Sequence, residues 1–204
     1  MKPHYGLALS SILVFSLSGS TYIDKSFSLA TETVVDAEAE EDFVQEMDTG
    51  NYLYEGEFYE EALEFYDKAL KIKPNDYDAL NNRGHALLNL GKYKQALASY
   101  DKALKIKTDG YYAWYSRGFA LHKLEKYEKA VEAYNKALKI NPDSDMAWLN
   151  RGNALRDLGK YEEALASFDK ALEINPDFQL AINNRKELLS KLNNSTHKPL
   201  LVKN

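Results

Sequence analysis

An all-α fold, a solenoid of antiparallel helix hairpins, is predicted by a spacing of thirty-four residues, a helical apolar period within each unit, and punctuation at one recurring place. The block KYEEALASFDKALEINPD, Lys160 to Asp177, carries the register. Ala62, Ala96, Ala130 and Ala164 share one position of it, Tyr59, Tyr93, Tyr127 and Tyr161 a second, and Ala69, Ala103, Ala137 and Ala171 a third. Four copies follow without insertion, at 43–76, 77–110, 111–144 and 145–178.

Each unit opens with a segment such as DMAWLNRGNALRDLG, Asp145 to Gly159, apolar at every third or fourth place, which is the period of a helix. Gly91 and Gly159 end this first helix where a residue of positive φ is needed. A second helix then runs from about Tyr161 to Ile174, and Asn175, Pro176 and Asp177 close the unit, because proline cannot continue a helix and Asp starts turns. Gly50, Gly84, Gly118 and Gly152 sit inside the first helices, where glycine costs about 1 kcal/mol against alanine. Close contact between the two helices of a hairpin is expected there, with Ala62, Ala96, Ala130 and Ala164 as the small residues opposite. Residues 179–192 keep the helical period and carry Lys186, Glu187 and Lys191, as a solvated capping helix would. No hairpin of this kind buries its apolar face alone, so function is expected on a surface of the stack.

The recurring aromatic, small and proline positions, represented by Trp148, Gly152, Tyr161, Ala164, Phe168, Ala171 and Pro176, make residues 43–178 resemble the tetratricopeptide repeat family. Glu46 and Leu80 replace the early tryptophan present as Trp114 and Trp148, and Thr108 replaces the closing proline. The resemblance implies a right-handed superhelix with a concave groove lined by first helices. It also implies a protein interaction scaffold that holds an extended peptide or a helix of a partner protein.

By that resemblance Asn82, Ser116, Asn150 and Asn184 face the groove. An asparagine amide both donates and accepts, so it can hold the backbone of an extended peptide whatever its sequence. Each such bond contributes only about 0.5–1.5 kcal/mol net, so several must act together. Register adds Asn81, His85, Asn89, Tyr112, Tyr115, Phe119, His122, Lys123, Asn153 and Arg156 to the groove. Tyr112, Tyr115 and Phe119 share a helix face and could seat an apolar side chain of the ligand. The competing readings are hydrogen bonding between neighbouring helices for the asparagines and packing between hairpins for the aromatics. Met47, Asn81, Tyr112 and Met146 stand among the residues where the family's carboxylate clamp requires basic ones. An internal segment is therefore expected as ligand, with acidic residues favoured by the net positive solenoid.

Arg83, Arg117, Arg151 and Arg185 also fall one repeat apart, and Asp67, Asp101, Asn135 and Asp169 precede them by a constant interval. Bridges are expected from Arg83 to Asp67, Arg117 to Asp101 and Arg185 to Asp169, across the junctions of stacked hairpins. The alternative is an anion-binding stripe.

A chain of 204 residues with 45% hydrophobic content suffices for one folded domain, and the absence of cysteine excludes disulfides, thiolate nucleophiles and cysteine-bound metals. His4, His85, His122 and His197 lack metal-ligand spacing and there is no glycine-rich phosphate loop, so neither an enzyme nor a cofactor or metal is expected. Lys2, the apolar run Leu7 to Leu17 and the sequence Ser28, Leu29, Ala30 predict an export signal over residues 1–30, hence a periplasmic or secreted protein. Cleavage after Ser20, or a cytoplasmic protein with a weakly apolar leader, are the alternatives. The apolar run is too short for a bilayer, which needs about twenty residues.

Residues 26–67 hold fourteen acids and no Lys or Arg, whereas residues 68–204 hold sixteen acids against twenty-four bases. Residues 31–42 read as an acidic disordered linker, 43–192 as the repeat domain, and 193–204 as a loose tail. The expected partner is a protein or peptide. Nucleic acid is not, because the lysines of the KALKIK segments lie on second helices that face outward. A monomer is expected. The alternative functions are RNA reading by a helical repeat and self-association through an exposed end of the stack.

Overall fold

The structure is a computed structural model that describes residues 23–196. Its elements are all helical: α1 Ile23–Glu55, α2 Tyr59–Ile72, α3 Tyr77–Asn89, α4 Tyr93–Ile106, α5 Tyr111–Lys123, α6 Tyr127–Ile140, α7 Asp145–Asp157, α8 Tyr161–Ile174 and α9 Gln179–Thr196. The chain divides into two compact units, residues 1–40 and 41–204. In the first, the described residues from Ile23 onward are helical. In the second, α3 to α8 form successive hairpins after the one completed by α2, and α9 packs on the last.

Two boundaries differ from the sequence reading. Residues 31–42, expected to be a disordered linker, lie within α1. Ala37 and Ala39, with Glu38, Glu40 and Glu41, are strong helix formers, and a helix anchored by buried Phe43 and Met47 extends without a second nucleation. Asn193 to Thr196, assigned to the tail, complete α9. The leader-like run Leu7 to Leu17 and the residues from 197 onward lie outside the described residues.

The mid-helix glycines do not face the alanines. A Cβ on Gly50 would lie 2.8 Å from the ring of Tyr66, on Gly84 2.6 Å from Tyr100, on Gly118 2.7 Å from Tyr134, and on Gly152 2.5 Å from Phe168. Each glycine is thus a notch that receives an aromatic ring of its own hairpin's second helix. The expected partners Ala62, Ala96, Ala130 and Ala164 stand one turn earlier on those helices and are fully buried. A ring needs the void more than a methyl group does, which is why the aromatic takes it.

Three of the four rings are tyrosines, and their hydroxyls differ in circumstance. Tyr66 donates to Asn51 Oδ1 at 3.0 Å, whereas the buried hydroxyl of Tyr134 makes no hydrogen bond to protein atoms and that of Tyr100 has only Ser116 beside it. Burial pushes both of those phenols above their ordinary range. An unpaired buried hydroxyl is a burden, and the fourth hairpin does without it through Phe168. Tyr134→Phe should therefore be neutral or stabilising by up to about 1 kcal/mol in denaturant unfolding, while Tyr66→Phe, which loses a made bond, should cost about 0.5–1.5 kcal/mol.

The turn after each first helix repeats as well. Glu57, Gly91, Glu125 and Gly159 all have positive φ, at 63°, 69°, 57° and 83°. The residue after each sends its N–H back to Leu53, Leu87, Leu121 and Leu155 at 2.8–2.9 Å, closing the helix end. Only the two glycines were legible as such a turn. The glutamates hold the same conformation at a cost of about 1–2 kcal/mol each.

Candidate functional site

The inner wall of the stack follows from which helices touch. Among the first helices, α3 meets α5, α5 meets α7 and α7 meets α9, whereas among the described residues α2, α4, α6 and α8 do not meet one another. The stack therefore curves toward the first helices, whose free face is concave.

A ladder of hydrogen bonds runs along that face. Asn82 donates to Asn51 Oδ1 at 2.8 Å, His85 and Ser116 share a bond of 3.1 Å, and Asn184 donates to Asn153 Oδ1 at 2.7 Å, each linking adjacent repeats at one register. Phe119 breaks the series, and Asn150 reaches instead to the hydroxyl of Tyr115 at 2.7 Å. A second set joins Asn89 to the Tyr54 hydroxyl at 2.9 Å and His122 to Asp157 at 2.8 Å. The asparagines thus bond between neighbouring helices, which leaves each a carbonyl or a second N–H for another chain.

Two residues assigned to the groove are out of reach. Asn81 is 5% exposed, donates to the carbonyl of Tyr77 at 2.9 Å and keeps its own oxygen buried, and Ser116 is buried beside His85. Adjacent positions on a helix point about a quarter turn apart, so Asn82 faces the groove while Asn81 turns into the stack.

The arginines lie on the other side of the first helices. Their Nε atoms donate to Asp67 at 2.5 Å, Asp101 at 2.7 Å, Asn135 at 2.6 Å and Asp169 at 2.5 Å, each on the preceding hairpin. Arg83 and Arg151 also bond from Nη1 to Ser99 at 2.8 Å and Ser167 at 2.5 Å on their own hairpin's second helix. Arg117 and Arg151 stack over Trp114 and Trp148, 5.5 Å from each ring, and the indoles donate to the carbonyls of Thr108 and Pro142. These guanidinium groups tie hairpins together and are not a free anion stripe.

Apolar surface marks the groove's C-terminal half. Tyr112, Met146 and Leu180, one repeat apart in the first turns of α5, α7 and α9, are 69%, 43% and 55% exposed. The sequence reading sets Tyr112 and Met146 together at groove positions and omits Leu180, although the thirty-four-residue register carries all three. Tyr115 is partly buried against Tyr111 and Tyr134, with ring centroids 6.0 Å from each, and Lys123 sits 5.3 Å above the Phe119 ring.

Charge is unevenly spread along the groove. Among the described residues nine of eighteen lysines stand on second helices and five more at the caps of those helices, while the first-helix face of the first two hairpins presents exposed Asp48, Glu55 and Asp78. Burial lowers the His85 pKa and favours its neutral form, so His85 adds no balancing cation at neutral pH. At the other end Arg156 pairs with Asp157 at 3.0 Å. Burial tends to raise the Asp157 pKa, but the hydrogen bonds from His122 and Arg156 outweigh it and hold the carboxyl below the ordinary carboxylate range. Among the described residues no cluster of His, Cys, Asp and Glu could hold a metal ion, and no helix is long and apolar enough to cross a membrane.

Comparison with known proteins follows the same hairpins. The tetratricopeptide repeat model matches residues 77–108, 111–144 and 146–178, and a second TPR repeat model matches 50–91. No curated protein matches. Among solved structures, MamA from residue 41 onward, of Desulfovibrio magneticus RS-1, has a TM-score of 0.72 at 22% identity, over 74% of this chain and 86% of that one. YrrB, a TPR protein with an unusual peptide-binding site, has a TM-score of 0.67 at 28% identity, over 79% and 84%. The first TPR domain of Spaghetti (RPAP3), bound to the HSP90 peptide SRMEEVD, has a TM-score of 0.56 at 27% identity, over 57% and 92%. Since the matched segments coincide with the hairpins whose glycine notches and helix-end turns recur in step, this chain belongs to the tetratricopeptide repeat family.

Proposed function

We propose that the chain is a non-catalytic scaffold that holds an extended peptide or a helix of a partner protein along its first-helix face. The observation that carries this reading is the exposed apolar row Tyr112, Met146 and Leu180, beside amides that retain hydrogen-bonding capacity. Water gains nothing from such a row, and another chain gains both apolar burial and backbone pairing. YrrB and the Spaghetti domain, both similar in fold and peptide binders by description, support it.

The test uses peptides selected from a random phage-displayed library on the immobilised full chain. Tyr112→Ala combined with Met146→Ala is expected to weaken a selected peptide by about tenfold or more, with the melting temperature unchanged because both side chains are exposed. Unchanged affinity in the double variant would remove the groove from the reading.

Export, proposed from the apolar run Leu7 to Leu17 and the small residues after it, has a direct check. N-terminal sequencing of the protein from its source cell is expected to begin after Ser20 or Ala30, and a chain beginning at Met1 or Lys2 refutes it.

A further inference from the structure

A cavity of about 280 Å³ opens on the first-helix face of the first two hairpins, lined by Asn51, Tyr54, Glu55, Tyr66, Asn82 and His85. It has room for one long side chain. Its polar lining is organised around acceptors. Tyr66 and Asn82 both spend a donor on Asn51 Oδ1, at 3.0 and 2.8 Å, so the lone pairs of the Tyr66 oxygen and the carbonyl of Asn82 are not used in those bonds. Asn89 donates to Tyr54, which also orients that phenol. Glu55 adds a carboxylate at an exposed position.

No Lys or Arg is among the residues that line the cavity. From Glu41 to the end of α1 there is no lysine or arginine, and the single arginine of α3, Arg83, is held by Asp67 and Ser99 on second helices. Asp48 occupies the register of Asn82, and Asp78 takes the register that Tyr112, Met146 and Leu180 fill further along. The apolar row thus gives way to acid where the cavity begins.

Resting on the reading of this face as a peptide groove, we propose that the cavity seats a basic side chain of the bound segment, arginine or lysine, paired with Glu55. The ligand is then a segment of two characters, basic over the first two hairpins and apolar over the last two and α9. An arginine guanidinium fits the lining best, since its planar fork can meet the Glu55 carboxylate and the amide and phenol oxygens together.

The probes are the peptides selected from the random library on the full chain, and synthetic versions with each arginine replaced by citrulline, which keeps the shape and removes the charge. Enrichment of arginine or lysine at one peptide position is expected. Citrulline there should weaken binding about tenfold to the native chain, and much less to the Glu55→Gln variant. Peptides that bind through the apolar row with no basic position, or a citrulline penalty that survives Glu55→Gln, overturn this inference and leave the groove standing. Failure to select any peptide overturns both.

Discussion

Phe168→Ala is expected to destabilise the chain by about 3–5 kcal/mol in denaturant unfolding, the usual cost of removing a buried aromatic ring. The side chain is fully buried and sits in the notch left by Gly152. The diagnostic result lies in the partner substitution. In the native chain Gly152→Ala sets a methyl 2.5 Å from the ring, and overpacking of that kind costs about 1–3 kcal/mol, more than the roughly 1 kcal/mol gained in helix propensity. In the Phe168→Ala background the obstacle is gone, so the same substitution should be neutral or stabilising by up to about 1 kcal/mol. A double-mutant cycle showing simple additivity would mean that ring and notch do not depend on each other.

The second large effect is expected at Arg151. Its guanidinium donates to Asn135 at 2.6 Å and to Ser167 at 2.5 Å, and stacks 5.5 Å from the centre of Trp148. Ser167 is fully buried, so this bond is shielded from solvent. Arg151→Met should cost about 1.5–3 kcal/mol, the range for hydrogen bonds made by a charged group. Arg151→Lys should cost nearly as much, because an ammonium cannot serve both partners and cover the indole at once. Arg185 gives the contrast. Its side chain is 42% exposed and that of its partner Asp169 is 47% exposed, so Arg185→Met should cost less than about 1 kcal/mol. Equal losses at the two positions in thermal or urea unfolding would show that solvent shielding does not set the strength of these ties.

The helices themselves were legible because thirty-four-residue recurrence and helical period pointed to the same answer four times over. The second helix read as Tyr161 to Ile174 has those ends in the structure. What escaped was the pairing of positions across the hairpin. Ala62 and Tyr66 recur with equal regularity, and periodicity does not say which of two buried residues one turn apart meets a glycine; that depends on the volume of the void. The turns at Glu57 and Glu125 escaped because a non-glycine residue of positive φ leaves no compositional mark, although its place in the repeat beside Gly91 and Gly159 does. In the groove, a shift of one residue separates Asn82, which faces outward, from Asn81, which does not. The acidic stretch 31–42 was misjudged by weighing charge over helix propensity.

Ring and notch close each hairpin with apolar contact, whereas consecutive hairpins meet partly through arginine bridges, asparagine rungs and the contact of His122 with Asp157. The same seams also bury apolar residues, Leu104 with Ala113 and Tyr134 with Ala154 among them, so the directional polar ties add register to a contact that apolar packing alone would leave less specified. A chain laid lengthwise along the inner wall would cross one seam after another and so splint consecutive hairpins together.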